Sequence, residues 1–248
     1  MLPLRDRNPT SRTPVITVLL IIANVAVFLL VQKAGTLGTQ DDTTLTYEHA
    51  AIPCELTQGH PLTEREIVDG TCVDTGRSAE LFPDKNVVLS VFVSMFLHGG
   101  WLHLGGNMLF LWVFGNNVED KLGPFFYVLL YLVGGAVAMV SQVLADPNST
   151  VPVIGASGAI AAVMGAYLVW FPRARVLTVI LIFFIFPFEL PAWIVLSVWF
   201  VLQFFTAPES GVAWMAHVGG FAFGVAVAWF VRSTAWWRRR NPPVYRRI

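Results

Sequence analysis

Long apolar runs recur along the chain and alternate with polar segments. Six of these runs contain no Asp, Glu, Lys or Arg: Val15–Val31, about Leu102–Gly115, Phe125–Ala145, Val153–Phe171, Ala192–Thr206 and Val212–Val231. A helix that crosses a lipid bilayer needs about 20 mostly apolar residues. The pattern therefore predicts an all-α membrane protein with six transmembrane helices, and six crossings place both ends of the chain on the same side.

The composition excludes a soluble globular enzyme. Hydrophobic residues make up 55% of the 248 positions and charged residues only 13%, whereas soluble domains carry about 25% charged residues. Sixteen basic and sixteen acidic residues give a net charge of zero. The chain therefore lacks the basic field that nucleic-acid binding requires, and we expect no nucleic-acid partner.

Basic residues cluster on one side of the predicted membrane. They lie before the first run, after the second and fourth, and beyond the last: Arg5, Arg7, Arg12, Lys121, Arg173, Arg175 and six arginines from Arg232 to the end. Because basic loops stay in the cytoplasm, both termini are predicted to be cytoplasmic. This gives a tail at 1–14, a membrane domain at 15–232 and a basic tail at 233–248. The first run lacks a clear signal-peptide cleavage site, so we treat it as a membrane helix.

A long polar segment at about 33–86 is predicted to be the first external loop. It holds ten acidic residues against four basic ones, and its Cys54 and Cys72 are the only cysteines of the chain. An oxidising compartment favours a disulfide between them. A zinc site with His49 or His60 is the alternative, but the spacing matches no standard template, and we predict no metal.

The apolar segment Val176–Phe186 has two interpretations. It is followed by Pro187, Glu189 and Pro191, and proline interrupts a helix. The segment is therefore either an interfacial stretch or the lower part of a long fifth helix.

Ser157 is the first candidate for chemistry. From Ser157 to Phe171 there are 15 residues, or about 22 Å of helix, whereas the hydrocarbon core is about 30 Å thick. A helix that begins here begins inside the membrane, where irregular backbone is tolerated only beside protein or water. Its N-terminus would place unpaired N–H groups beside the hydroxyl, as an oxyanion requires. The alternative is a helix cap with small-residue packing at Gly155 and Gly158.

Three histidines, His98, His103 and His217, lie in or beside apolar runs, where polar groups are candidates for function. His217, Gly220 and Gly224 share one face of the sixth run, and Ser157 begins a small-residue stripe on the fourth. Close approach of two such stripes would bring the imidazole of His217 within hydrogen-bond reach of Ser157. This predicts a nucleophile and its general base without an acidic third member, because the runs contain no carboxylate.

His103 and Asn107 are i, i+4 neighbours at the start of the second run. Both side chains can donate hydrogen bonds to a developing oxyanion. Interhelical hydrogen bonding is the alternative role. His98 lies outside that turn and is expected to pin the preceding loop.

These residues resemble the rhomboid family of intramembrane serine proteases. The resemblance covers about Val87 to Val231 and consists of four motifs in order: His103-x-x-x-Asn107, Gly115-x-x-x-Glu119-x-x-x-Gly123, Gly155-x-Ser157-Gly and Ala216-His217 with following glycines. It implies a six-helix bundle, a nucleophile at Ser157 and a base at His217. It also implies that His103, Asn107 and the Ser157 N–H bind the oxyanion, that Glu119 has a structural role, and that no cofactor is required.

The resemblance further implies cleavage of transmembrane segments of other membrane proteins near the outer face, usually after a small residue. It places the chain in a cell membrane of bacterial type. The sequence departs from the family pattern at two places. Ala161 stands where many members have an aromatic residue that stacks on the base, so another residue must orient His217. Leu89–Ser90 stands where the family commonly has a Trp-Arg pair in the first external loop. An inactive rhomboid-like chaperone or adaptor is the alternative function. A transporter or proton channel lacks support, because the runs hold no carboxylate.

Overall fold

The computed structural model describes residues 2–33, 38–73, 79–181, 185–205, 212–234 and 237. Within these residues the chain forms ten α-helices: α1 (Val15–Ala26), α2 (Gln40–His49), α3 (Pro53–Gln58), α4 (Glu64–Asp69), α5 (Val87–Val93), α6 (Trp101–Leu122), α7 (Pro124–Ala145), α8 (Ser157–Trp170), α9 (Ala192–Gln203) and α10 (Trp214–Ser233). A π-helical turn at Val27–Val31 extends α1, and a 3₁₀ turn at Ser94–Phe96 extends α5. The fold is therefore mostly helical.

Two described helices, α7 and α10, are long and apolar enough to cross a membrane. The α5 segment and α6 together form a third span if the pair, which bends by 83°, is counted as one. The π-extended α1, α8 and α9 are shorter apolar helices. Two or three clear apolar spans are thus present, and the predicted count of six goes beyond this finding. Thr206, the predicted end of the fifth run, and most of the predicted 233–248 tail lie outside the described residues.

A small antiparallel sheet corrects the all-α prediction. Its strands are β1 (Leu2–Asp6), β2 (Arg175–Leu181) and β3 (Ile185–Pro191), in the order β1-β2-β3. The described residues of Val176–Phe186 form strands, so the interpretation as the lower part of a long fifth helix is wrong for them, whereas the interfacial position stays a prediction. Val, Ile and Thr favour strands, and the prolines of β3 disfavour a helix.

Strand β1 is held against the helices through Asp6. The carboxylate accepts hydrogen bonds from the hydroxyl of Tyr167 on α8, at 2.6 Å, and from the amide of Asn117 on α6, at 2.5 Å. The segment predicted to be a tail is thereby packed against the helices. It lies at the end of α8 opposite Ser157.

Helix α8 forms the centre of the molecule. Its residues from Gly158 to Tyr167 are all buried, and α8 packs against α6, α7 and α10. Small residues on α8 allow these neighbours to approach closely, so the position of its first residue, Ser157, is fixed by contacts on several sides.

The connecting segment, residues 38–73 and 79–86, packs against the residues that precede α8. Cys54 and Cys72 form a disulfide, so both sulfur atoms are used and the alternative zinc set with His49 or His60 is not formed. Glu55 and Lys85 form an ion pair in which both side chains are only 2% exposed. Ala51 pairs with Val153 in an isolated antiparallel bridge, which ties the connecting segment to the residues just before Ser157.

Candidate active site

The backbone before Ser157 requires a glycine. Gly155 has a φ of +116°, which L side chains rarely adopt, and a Cβ at this position would lie 2.6 Å from Nε2 of His103. The glycine therefore brings the chain against α6 and then into the first turn of α8. Because Ser157 is the first residue of α8, the N–H groups of this turn have no carbonyl partner one turn earlier.

The side chains of Ser157 and His217 meet at the interface of α8 and α10. Nε2 of His217 lies 2.7 Å from Oγ of Ser157. Gly220 and Gly224 allow this approach, because a Cβ on either would overlap a backbone carbonyl of α8, that of Gly158 or that of Ala162. The structure thus brings together the serine, the histidine and the glycines that the sequence placed on facing stripes.

His103 and Asn107 of α6 lie against Gly155, the residue two positions before Ser157. The backbone N–H of Gly99 donates to Nδ1 of His103 at 3.2 Å. In a neutral imidazole this acceptor role places the proton on Nε2, the atom that faces Gly155. The Asn107 side-chain amide is also close to Gly155, and its Nδ2 is buried without a hydrogen-bond partner among the described residues. Two side-chain donors are therefore directed at the backbone that precedes Ser157.

His98 contributes through its backbone and its ring. Its N–H donates to Oε1 of Gln32 at 2.8 Å, and its carbonyl accepts from Nε2 of Gln32 at 3.0 Å. The buried imidazole packs edge-on against that of His103, with 5.1 Å between the ring centroids. His98 thus joins the end of the π-extended α1 to the turn that carries His103.

Glu119 lies near the opposite end of α6. Its carboxylate accepts hydrogen bonds from the N–H groups of Ile16 and Thr17, at 2.9 and 2.8 Å, and from the Thr17 hydroxyl at 2.8 Å. These are the first residues of α1, where a negative charge interacts favourably with the helix dipole. Glu119 therefore caps α1 and has no contact with Ser157 or His217.

One cavity of about 810 Å³ connects the candidate residues. Its lining includes Gly155, Ser157, His217, His103 and Asn107. It extends to the segment before α8, where Ser149 and the exposed Val151 contribute to its wall. The serine hydroxyl and the side-chain donors of α6 therefore face the same cavity.

The order of these elements matches a known family. A family model described as the Rhomboid domain matches residues 85–234. The chain belongs to the rhomboid family. The matched region of this rhomboid runs from α5 to the end of α10 and contains all of the candidate active-site residues.

Three mitochondrial relatives resemble this rhomboid. Rhomboid protein 1, mitochondrial, of Saccharomyces cerevisiae is 31% identical over 152 residues, 58% of this chain and 42% of the relative. The presenilin-associated rhomboid-like protein, mitochondrial, of Mus musculus is 30% identical over 169 residues, or 65% and 43% of the two chains. RHOMBOID-like protein 12, mitochondrial, of Arabidopsis thaliana is 31% identical over 160 residues, or 56% and 45%. The chain thus covers less than half the length of each of these relatives.

These relatives correct the predicted location. The charge distribution and the family resemblance led to a bacterial cell membrane with both termini in the cytoplasm. The relatives are described as mitochondrial, so that prediction is wrong. The distribution of Lys and Arg reports on the orientation of a chain in a membrane and does not identify the membrane, so the bacterial type rested on the family resemblance.

Sequence reasoning missed two residues of α9 in this rhomboid. Oε1 of Gln203 lies 2.7 Å from Nδ1 of His217, and the Trp199 ring lies 5.8 Å from the imidazole, centroid to centroid. Ala161, which stands where an aromatic residue was expected, is fully buried and offers no ring. The available signal was Gln203 itself, the only amide side chain in the run Ala192–Thr206.

Proposed function

We propose that this rhomboid chain is an intramembrane serine endopeptidase that cleaves transmembrane segments of other membrane proteins. The observation that carries the proposal is the 2.7 Å contact between Oγ of Ser157 and Nε2 of His217. A serine hydroxyl is a weak nucleophile, and a histidine within hydrogen-bond reach activates it by accepting its proton. The family relationship supports the same reaction class.

In the proposed reaction, Oγ of Ser157 attacks the carbonyl carbon of the substrate peptide bond while its proton passes to Nε2 of His217. The imidazolium then donates that proton to the nitrogen of the leaving amine as the C–N bond breaks. Water, deprotonated by the same imidazole, attacks the acyl-enzyme ester and releases the second product. All steps use protein groups and water, so the mechanism requires no metal or cofactor.

The oxyanion would be bound by three donors. Nε2 of His103 and the Asn107 amide lie beside Gly155, and the Asn107 Nδ2 has no partner among the described residues. The Ser157 backbone N–H, at the start of α8, would be the third donor. A buried donor without a partner is costly, and an oxyanion that forms during the reaction would satisfy it. Preorganised donors of this kind stabilise the transition state more than the substrate carbonyl.

We further propose a six-segment membrane arrangement, with the π-extended α1, the bent α5–α6 pair, α7, α8, α9 and α10 as the membrane segments. Helix α8 has 14 residues, about 21 Å, which is shorter than the hydrocarbon core of about 30 Å. Its N-terminus would therefore lie inside the membrane, below the connecting segment. By analogy with the relatives described as mitochondrial, we propose a mitochondrial membrane as the location.

The substrate class follows from backbone chemistry. The peptide groups of a transmembrane helix are hydrogen-bonded to one another, so the segment must unwind before Ser157 can attack a carbonyl. Small or helix-breaking residues near the cut would favour this unwinding. The cut is expected near the membrane face that carries the connecting segment, because the cavity extends toward that face.

A cleavage assay in lipid vesicles tests the proposal. We expect the wild-type chain to cleave a transmembrane substrate, and Ser157→Ala and His217→Ala to lose cleavage. Ser197→Ala, which changes an exposed serine of α9, should leave cleavage unchanged. Labelling by a fluorophosphonate should occur in wild type and in Ser197→Ala but not in Ser157→Ala. Cleavage that survives both active-site changes in folded protein would overturn the dyad, and binding of helices without any cleavage would indicate an adaptor.

A further inference from the structure

Gln203 of α9 contacts the imidazole of His217 on the side opposite Ser157. Its Oε1 lies 2.7 Å from Nδ1 of His217, while Nε2 of the same ring faces the serine. The Gln203 side chain is buried, with 8% of the residue exposed. The imidazole is therefore held between a serine hydroxyl and an amide oxygen that belong to two different helices.

The orientation of the Gln203 amide is determined by its second hydrogen bond. Its Nε2 donates to the carbonyl of Trp199, one turn earlier on α9, at 2.9 Å. A reversed amide would place its oxygen against the Trp199 carbonyl, where two acceptors repel each other, so the observed orientation directs Oε1 toward His217. An amide oxygen can only accept a hydrogen bond. The proton of a neutral His217 must consequently be on Nδ1.

This tautomer has a direct consequence for Ser157. With Nδ1 protonated, Nε2 carries a lone pair, and that lone pair lies 2.7 Å from the serine Oγ. The opposite tautomer would present an N–H to the hydroxyl and could not accept its proton. The Trp199 ring, 5.8 Å from the imidazole, packs beside it and limits its rotation.

We propose that Gln203 is the positioning residue of the Ser157–His217 pair, holding His217 in the Nδ1–H tautomer and in the orientation that serves Ser157. Its catalytic consequence rests on the proposed peptidase function. Gln203 occupies the place that a carboxylate holds in a serine protease triad. A neutral amide fixes the tautomer as a carboxylate does but contributes no charge, and this avoids the cost of an ionised carboxylate inside the membrane.

The first test measures the tautomer and does not depend on activity. In ¹⁵N-histidine-labelled protein, the His217 signal is assigned by its loss in His217→Ala, and it should show the proton on Nδ1. Gln203→Leu removes the acceptor at similar size, so the same signal should change to a mixture of both tautomers. Gln203→Glu retains an acceptor oxygen and should restore the Nδ1–H form.

The second test measures steady-state cleavage of a transmembrane substrate in vesicles. Gln203→Leu should lower kcat about 10²-fold with KM nearly unchanged, less than the loss of about 10⁴-fold for a triad carboxylate, because the amide carries no charge. Gln203→Glu should recover most of the lost kcat. Ser197→Leu, a similar polar-to-apolar change at an exposed position of α9, should leave both constants unchanged.

The two tests separate the two proposals. A proton on Nε2 in wild type, or an unchanged His217 signal in Gln203→Leu, overturns the positioning role whether or not the chain cleaves substrate. Full kcat in Gln203→Leu overturns it as well. If wild type neither cleaves nor reacts with a fluorophosphonate but shows the expected tautomers, the peptidase function fails and the positioning of His217 stands. If Gln203→Leu does not fold, the tautomers of His217 in wild type and in Gln203→Glu decide the positioning role. A proton on Nε2 in either protein would overturn it.

Discussion

The carboxylate of Glu119 accepts hydrogen bonds from both the backbone N–H and the hydroxyl of Thr17, each at 2.8 Å. One side chain of α6 therefore satisfies the first turn of α1, whose N-cap, Pro14, provides no side-chain hydrogen bond of its own. In the described structure α1 also packs against α6 and α7. The capping bond thus connects the start of the first apolar helix to α6.

Glu119→Gln is expected to destabilise the protein. The amide retains one acceptor oxygen but turns an NH₂ group toward the N–H groups of α1, and it removes the negative charge that favours the helix N-terminus. Loss of charged hydrogen bonds in a buried site costs about 2–3 kcal/mol. The midpoint of thermal unfolding in detergent should fall accordingly. Asp120→Asn is the control, because Asp120 binds Ser11 in an exposed position, and an equal effect there would contradict the capping role.

Asn107 is expected to act on the transition state rather than on substrate binding. Its Nδ2 is buried beside Gly155 without a partner among the described residues. Asn107→Ala should therefore lower kcat about 10²- to 10³-fold, the usual effect of removing one oxyanion donor, with little change in KM. The assay is steady-state cleavage in vesicles. Asn116→Ala, on α6 but outside the cavity lining, should leave kcat and KM unchanged. A change confined to KM in Asn107→Ala would indicate a role in substrate binding instead.

Gly224→Ala is expected to separate α10 from α8. A Cβ at this position would overlap the carbonyl oxygen of Ala162, so the helices must move apart. Overpacking of this kind costs about 1–3 kcal/mol, and the shift should also lengthen the contact between His217 and Ser157. We expect a lower thermal midpoint together with slower cleavage. Gly105→Ala on α6, where a Cβ meets nothing within 4 Å, should have neither effect.

Several parts of the site follow from the sequence because they depend on local spacing. The glycines at 220 and 224 share a face with His217 at any regular helical geometry, so the approach to Ser157 could be predicted without coordinates. The role of Gln203 could not be predicted in this way, because its contact with His217 depends on how α9 crosses α10. Helical spacing contains no information about that crossing. The strand β2 was also missed, since short apolar runs fit a strand and a helix equally well.

The connecting segment contains a carboxylate whose ionisation should stabilise it. Glu66 accepts hydrogen bonds from Gln58 at 2.8 Å and from the N–H and hydroxyl of Thr63 at 2.9 Å each. Burial acts to raise the pKa of Glu66, but the hydrogen bonds from Gln58 and Thr63 together outweigh it, so the pKa is lowered. Because the folded state holds this proton less tightly than the unfolded state, the stabilisation is present above the ordinary pKa of the carboxyl.

Acidification should therefore destabilise α4. The stabilisation by Glu66 should be lost as the pH falls from the ordinary carboxyl pKa through the lowered pKa of Glu66. The measurement is the hydrogen-exchange protection of the Thr63 and Glu66 amides between about pH 7 and about pH 3. Glu66→Gln should have weaker protection at neutral pH and lose most of the pH dependence, since the amide does not ionise. Glu64→Gln, which changes an exposed carboxylate of the same helix, should keep the pH dependence of the wild type. Equal pH dependence in Glu66→Gln and wild type would show that another group controls the stability of α4.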